Sequence, residues 1–130
     1  ADLVTVHQKA GIGCLSAFCG ATCAGCGAGA GIAYLLGGDY KAVAHTIVNA
    51  LAVVSGMVCD GAKPSCAAKI SSAIDAGILG YELYCRGQEF LDGDGIIRKG
   101  VDNTIGNVGR MARSGMRETD RVILDIMCGC

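Results

Sequence analysis

The chain has 130 residues, enough for one domain with its own core and too few for two comfortable ones. Its net charge of -1 gives no basic surface for nucleic acid, so we expect no nucleic-acid partner. The 21 glycines and the absence of tryptophan predict helices that approach closely through small side chains rather than a core of bulky ones.

The cysteine content indicates a reducing compartment. The chain has nine cysteines, an odd number, and begins Ala1-Asp2-Leu3 without a basic leader or a cleavage pattern. Both observations argue against the disulfide framework of a secreted protein, and we expect a cytoplasmic one. The abrupt start without methionine suggests a piece of a larger protein.

The stretch Ala10–Gly38 is uncharged, which raises the alternative of a membrane-spanning hairpin. Nine of its residues are glycine and four are cysteine, and flanking arginines are absent, so a buried helical hairpin inside the core fits better and we expect no membrane partner. The alternating glycines from Gly25 to Gly31 do not match a dinucleotide-binding loop in register, and no β-branched strand precedes them.

Two further helices follow the hairpin turn. Asp39 is a good N-cap for a helix from Tyr40 to about Ser55, which is apolar almost all round and should be central. Pro64 suits the first turn of the next helix, which should run to about Tyr84. Helical spacing places seven residues on one face of this helix: Cys66, Ile70, Ala73, Ile74, Gly77, Ile78 and Tyr81.

The C-terminal third reads as a polar connection over residues 86–100 and one or two final helices. Asp92-Gly93-Asp94-Gly95 lacks the other ligands of a calcium loop and predicts a turn. Thr119-Asp120-Arg121 should cap a short apolar tail, Val122–Met127. Because no segment alternates with period two, the sequence predicts an all-α class. We expect one compact, Gly/Ala-rich helical domain over residues 1–130.

Three separated cysteines form the principal candidate site. Cys59 and Cys66 flank a loop containing glycine and proline, and Cys66 falls at a helix start, where the dipole favours a thiolate. Cys14 is a distant third ligand in the glycine-rich segment. Three thiolates suit an iron–sulfur cluster with one iron open as a Lewis acid. Spacing alone leaves two alternatives open: buried core cysteines, and zinc, whose paired ligands are usually closer together.

The other cysteines favour packing over ligation. Cys19, Cys23 and Cys26 form one helical stripe, which is typical of a core, although a four-cysteine cluster with Cys14 stays open. We expect Cys85 to be a core residue at a helix end. Cys128 and Cys130 form a terminal Cys-Gly-Cys that is a mobile thiol tail, a transient ligand or disordered.

Three polar residues are candidates for substrate contact. Asp60 and Lys63 lie between two proposed ligands, where they would orient a substrate carboxylate or the ligand sulfurs, or simply solvate the loop. His45 lies on the apolar central helix and would reach the substrate or a ligand sulfur, or be a satisfied core histidine.

The segments 7–14, 29–38 and 55–66 resemble the serine dehydratase alpha-chain family, and more closely its iron–sulfur L-cysteine desulfidase branch. The most specific string is Cys59-Asp60-Gly61-Ala62-Lys63-Pro64-Ser65-Cys66. The segments 93–96 and 115–121 resemble the C-terminus of the same branch, so the likeness covers nearly the whole chain.

The resemblance implies an all-helical catalytic domain with a [4Fe–4S] cluster on Cys14, Cys59 and Cys66, and without pyridoxal phosphate. The implied reaction is β-elimination from L-cysteine to pyruvate, ammonia and sulfide. Serine-specific members have a longer gap between the last two cysteines and a proline after the Cys-Asp pair, so Gly61 favours L-cysteine over L-serine. L-serine dehydration remains the alternative reaction.

Family members are about three times longer, so the chain resembles their C-terminal portion. The N-terminal half, or a partner subunit, would supply the general base and further substrate contacts, and the chain alone would then be inactive. A homo-oligomer stays open. A non-catalytic helical structural subunit, with its cysteines in the core, is the remaining alternative and predicts a colourless protein.

Overall fold

The computed structural model describes residues 1–13 and 16–129. Within these ranges the chain is helical, and its only extended pairing is a single antiparallel bridge between Phe18 and Val58, which confirms the all-α class. None of the helices in these ranges has the length and apolarity needed to cross a bilayer. The elements are α1 (Asp2–Ile12), α2 (Gly20–Leu35), α3 (Tyr40–Val54), α4 (Cys66–Cys85), α5 (Val101–Arg110), a π-helical turn (Met111–Gly115) and α6 (Arg117–Cys128).

The uncharged stretch 10–38 contains the end of α1 and one complete helix, α2, so the hairpin predicted within it is wrong, and α2 forms a hairpin with α3 instead. Gly37 turns the chain with a φ of 85°, a value that favours glycine. Asp39 Oδ1 then accepts a hydrogen bond of 2.8 Å from Ala42 N, which confirms the predicted N-cap. Most of the inner half of α3 is buried, including Leu51 and Asn49, so the central position of this helix is confirmed.

Helix α4 packs against α2 with almost no space between the backbones. Gly25 faces Ala73, and Gly29 faces Gly77 so closely that a Cβ on Gly29 would lie 2.7 Å from Gly77 Cα. Both residue numbers increase together along this contact, so the two helices run parallel. Their N-termini therefore lie at the same end of the domain.

Helix α3 packs on α4 in the same close manner. A Cβ on Gly80 would lie 2.7 Å from Thr46 O. The buried amide of Asn49 donates to Gly80 O at 3.0 Å and accepts from Phe90 N at 3.2 Å, which satisfies it and anchors the segment after α4.

The predicted inner face of α4 is partly wrong. Ile70 and Ile78 are 46 % and 39 % exposed. The neighbouring backbones come so close that only small side chains fit between them, and the isoleucines lie outside the contact. The helix also begins at Cys66, two residues after Pro64. The residues that are buried on this face are Ala73, Ala76, Gly77 and Gly80.

The C-terminal prediction is also corrected. Thr119-Asp120-Arg121 lies inside α6, which begins at Arg117, and therefore does not cap it. No residue of α6 is buried, but Met127 reaches the loop before α4, where its Cε would lie 2.8 Å from a Cβ on Gly61. The predicted turn at residues 92–95 is confirmed, with Asp94 Oδ2 accepting from Leu91 N at 2.7 Å.

The close contact between α2 and α4 predicts opposite effects for two helical glycines. Gly29→Ala should lower the free energy of unfolding by about 2 kcal/mol, because the new methyl group has no space. Gly106 in α5 has no atom near its Cβ position, so Gly106→Ala should raise the free energy of unfolding by about 0.5 to 1 kcal/mol. Urea unfolding followed by circular dichroism measures both, and equal effects would contradict the packing described.

Candidate functional site

The segment before α2 is paired with the segment after α3. Cys19 N donates to Met57 O at 3.0 Å, and Cys59 N donates to Ala17 O at 2.5 Å. Phe18, between the two bonds, is 1 % exposed and belongs to the core. This pairing fixes the backbone of Cys59 against the segment that begins at residue 16. Cys14 itself lies outside the described residues.

Cys59 and Cys66 lie on either side of one loop. Both are free thiols and both are partly exposed. Cys66 is the first residue of α4, and its Sγ lies 3.6 Å from Gly61 O, at the distance of a weak S–H···O bond. Gly61 has a φ of 89°, so the turn that directs this carbonyl to Cys66 favours glycine.

Two lysines stabilise the conformation of this loop. Lys69 Nζ donates to Val58 O at 2.8 Å and forms an ion pair with Asp60 Oδ1, while Lys63 forms an ion pair with Asp60 Oδ2. Asp60 is thus held between two ammonium groups. The structure gives Asp60 and Lys63 a role in shaping the loop, and their predicted contact with substrate stays a prediction. Lys69 was missed by the sequence reasoning, although it lies three residues after Cys66, on the adjacent turn of the helix.

Two helices begin and two helices end at the end of the domain that carries this loop. The N-termini of α2 and α4 lie here without hydrogen-bonded side-chain caps, and the C-termini of α1 and α3 lie beside them. Lys9 Nζ lies 4.0 Å from the Cβ position of Gly20, the first residue of α2. Lys9, Lys63 and Lys69 carry three positive charges, and Asp60 carries one negative charge. The lysines and the helix N-termini favour negative charge at this end, and the helix C-termini oppose it.

The π-helical turn supports the segment before α2. Ser16 Oγ donates to Ala112 O at 2.9 Å and accepts from Phe18 N at 3.1 Å. Arg113 Nη2 donates to Ala10 O at 2.8 Å. The described residues on both sides of positions 14 and 15 are therefore tied to the same turn, and such turns are often found at functional sites.

The cysteine stripe of α2 belongs to the core, as predicted. Cys23 and Cys26 are 1 % and 0 % exposed, and Cys19 is buried at the N-cap of the helix. Burial raises the pKa of the Cys23 thiol and raises the pKa of Cys26 to about 12, so both stay protonated near neutral pH. Within residues 1–13 and 16–129, no three Cys, His, Asp or Glu side chains converge as a metal site.

His45 is not brought to the cysteine loop. It lies nine residues before the end of α3, which is about 13 Å along the helix axis. Its ring stacks on Tyr84 with centroids 5.6 Å apart, and its Nδ1 lies 3.4 Å from Glu89 Oε2 without the geometry of a hydrogen bond. His45 is partly exposed, so the interpretation as a satisfied core histidine is also wrong.

The remaining thiols are on the surface. Cys85 is exposed at the end of α4, which corrects the prediction of a core residue, and it raises the pKa of Tyr81 through a hydrogen bond between the two side chains. Cys128 is exposed at the end of α6. Cys130 lies outside the described residues.

The difference in burial predicts a difference in thiol reactivity. During alkylation with iodoacetamide at pH 8, Cys59 and Cys66 should react at least about 100-fold faster than Cys23 and Cys26, because the buried thiols are protonated and inaccessible. Peptide mass spectrometry over a time course measures the rates, and complete alkylation in denaturant is the control. A rate for Cys26 near that of Cys59 would contradict the assignment.

Comparison with known proteins places this geometry in a family. A UPF0597 protein of Desulfitobacterium hafniense is 65 % identical over 126 residues, covering 97 % of this chain and 29 % of that protein. UPF0597 proteins of Lachnoclostridium phytofermentans and Treponema denticola are 53 % and 50 % identical, again over 97 % of this chain and 30 % and 29 % of their own lengths. The chain thus spans about three tenths of these relatives. No solved structure matches it.

The family model described as serine dehydratase alpha chain matches residues 1–125. This range includes α1 to α5, the cysteine loop and most of α6. The chain therefore belongs to the serine dehydratase alpha-chain family.

Proposed function

We propose that the chain is the cluster-binding domain of an iron–sulfur-dependent amino-acid lyase, with Cys14, Cys59 and Cys66 as ligands of a [4Fe–4S] cluster. The observation that carries this proposal is the pair of partly exposed thiols on one loop, which Asp60, Lys63 and Lys69 hold at the end of the domain where α2 and α4 begin. The family of the chain agrees with a lyase. Pyridoxal phosphate takes no part in this proposal.

The described donors fit such a cluster chemically. Thiolate sulfur is the preferred ligand of iron–sulfur clusters, and Cys59 and Cys66 are partly exposed free thiols at this end of the domain. The only hydrogen bond that Cys66 Sγ makes to a described residue is the weak contact with Gly61 O, so the sulfur is free to ligate. The third proposed donor, Cys14, is two residues before Ser16, and the next residue, Ala17, accepts a hydrogen bond from Cys59 N.

A cluster held by three cysteines supplies an open iron that acts as a Lewis acid toward the substrate. The other contacts to the substrate would come from residues of this chain. The ends of α2 and α4, with Lys9 and Lys69, stabilise negative charge on thiolates and on a substrate carboxylate. Asp60 is occupied by Lys63 and Lys69 and is therefore a poor candidate for the general base.

The proposed reaction is β-elimination from L-cysteine. The α-proton and the β-thiol leave, and hydrolysis of the resulting enamine gives pyruvate and ammonia beside the released sulfide. Gly61 after the Cys59-Asp60 pair, and the short gap to Cys66, support L-cysteine over L-serine as substrate. L-serine dehydration is the alternative, and the relative rates of pyruvate formation from the two amino acids decide between them.

The exposed apolar surface supports a partner for this domain. Tyr34, Leu35 and Leu36, at the end of α2, are 72 %, 83 % and 65 % exposed. In the longer relatives, additional polypeptide is available to cover such a surface and to bring the general base; a partner subunit or a second copy of the chain would cover it equally. The seven described cysteines are all free thiols, which supports a cytoplasmic enzyme.

Anaerobic reconstitution with iron and sulfide tests the ligands. The wild-type chain should show the broad visible absorption of thiolate-to-iron charge transfer, and Cys59→Ala and Cys66→Ala should each lose most of it. Cys85→Ala removes an exposed thiol at the other end of α4 and should leave the spectrum unchanged. A colourless wild-type chain would contradict the proposal for this domain and favour a structural subunit.

The loop lysines should differ in their effect on cluster stability. Lys69→Gln should make the absorption decay several-fold faster in air, because it loses both the Val58 carbonyl bond and an ion pair with Asp60. Lys63→Gln loses only its ion pair and should have a smaller effect. The time course of visible absorbance measures both, and an equal decay in the two variants would show that the Val58 bond is irrelevant.

A further inference from the structure

A second concave site lies away from the cysteine loop. It is a cleft of about 400 Å³ between the first turns of α3 and the segment 88–101. Its floor is apolar, formed by Ala44, Val48 and Ile97, and aromatic side chains of Tyr40 and Phe90 flank it. The volume falls in the lower part of the range of small-molecule sites, which are typically apolar with a few polar groups.

The wall of the cleft carries an excess of positive charge. Lys41, Arg98 and Lys99 line it. Two carboxylates face them at the limit of ion pairing, with Lys41 Nζ 3.9 Å from Glu89 Oε1 and Arg98 Nη1 3.9 Å from Asp92 Oδ1. One positive charge therefore remains uncompensated among these five groups. At these distances the carboxylates leave the cations able to turn toward a bound anion.

His45 adds to the same wall a buried nitrogen without a hydrogen bond in the described part of the chain. Its Nδ1 is buried, lies 3.4 Å from Glu89 Oε2 and makes no hydrogen bond to any described residue, although the side chain lines the cleft. A buried polar atom without a partner is uncommon and calls for an explanation such as a bound molecule or water. The stacking on Tyr84 holds the ring in this position.

We propose that this cleft binds a small organic monoanion, an aromatic or aliphatic body that carries one carboxylate. The apolar floor would hold the body, and Arg98 and Lys41 would hold the carboxylate. Because one positive charge of the cleft is uncompensated, we expect a ligand with one negative charge to bind best. This site is about 13 Å along α3 from the cysteine loop and requires no cluster, so its test is independent of the proposed lyase activity.

Two matched probes test the proposal, 2-naphthoate and its neutral amide, 2-naphthamide. Isothermal titration of the 130-residue chain should give a dissociation constant on the order of 1 mM for the anion, as expected for a ligand of this size. The amide should bind at least about fivefold more weakly. Amide shifts in a nitrogen–proton NMR spectrum should concentrate in residues 40–48 and 90–101.

Charge variants on exposed side chains complete the test, because Arg98 and Lys41 are 57 % and 65 % exposed and their replacement should not disturb folding. Arg98→Gln and Lys41→Gln should each abolish most of the preference for the anion. Arg86→Gln removes an exposed arginine outside the cleft and should retain it. Equal binding of both probes, no binding of either, or shifts centred on the exposed end of α2 would overturn the proposal.

Discussion

The close contact between the backbones of α2 and α4 is the constraint on which the candidate site depends. Gly29 and Gly77 leave no space for a side chain, and at the neighbouring contact Gly25 lies against Ala73, so the helices approach through glycine and alanine. Because this contact is parallel, it brings the start of α2 and the start of α4 to one end. The paired segments at residues 16–19 and 57–59 and the loop to Cys66 are then held at that end.

This arrangement separates two kinds of cysteine in one small domain. Cys23 and Cys26 face the core, where burial keeps their thiols protonated. Cys59 and Cys66 are partly exposed free thiols on the loop that Lys63 and Lys69 hold through Asp60. Burial, rather than spacing along the chain, therefore decides which thiols are available for ligation.

The sequence predicts well those features that depend on local chemistry. The Asp39 cap, the buried α3 and the loop between Cys59 and Cys66 all follow from residues close together in the chain. The inner face of α4 was mispredicted because hydrophobic periodicity places isoleucine inside, whereas a contact between glycine backbones excludes it. The start of α6 was mispredicted because Thr119 is a common N-cap residue, whereas the helix already begins at Arg117 without a hydrogen-bonded side-chain cap.

The roles of Lys9, Lys69 and the cleft near His45 could not be predicted from local patterns, since each depends on contacts between elements. Lys69 bonds Val58, eleven positions away, and Lys9 reaches the start of α2 only after the helices have packed. The position of His45 follows from the path of segment 88–101, which Asn49 anchors through Phe90. The identity of a lysine or a histidine in the sequence does not show which distant element its side chain will contact.

The most direct test of the account is a Mössbauer spectrum of the anaerobic chain reconstituted with isotopically enriched iron. Three cysteine ligands predict a cluster in which one iron differs from the other three, and addition of L-cysteine should change the spectrum of that iron alone. An open iron at the Cys59–Cys66 loop would be contradicted by four equivalent irons, by a single mononuclear tetrahedral iron, or by a spectrum that does not change when L-cysteine is added.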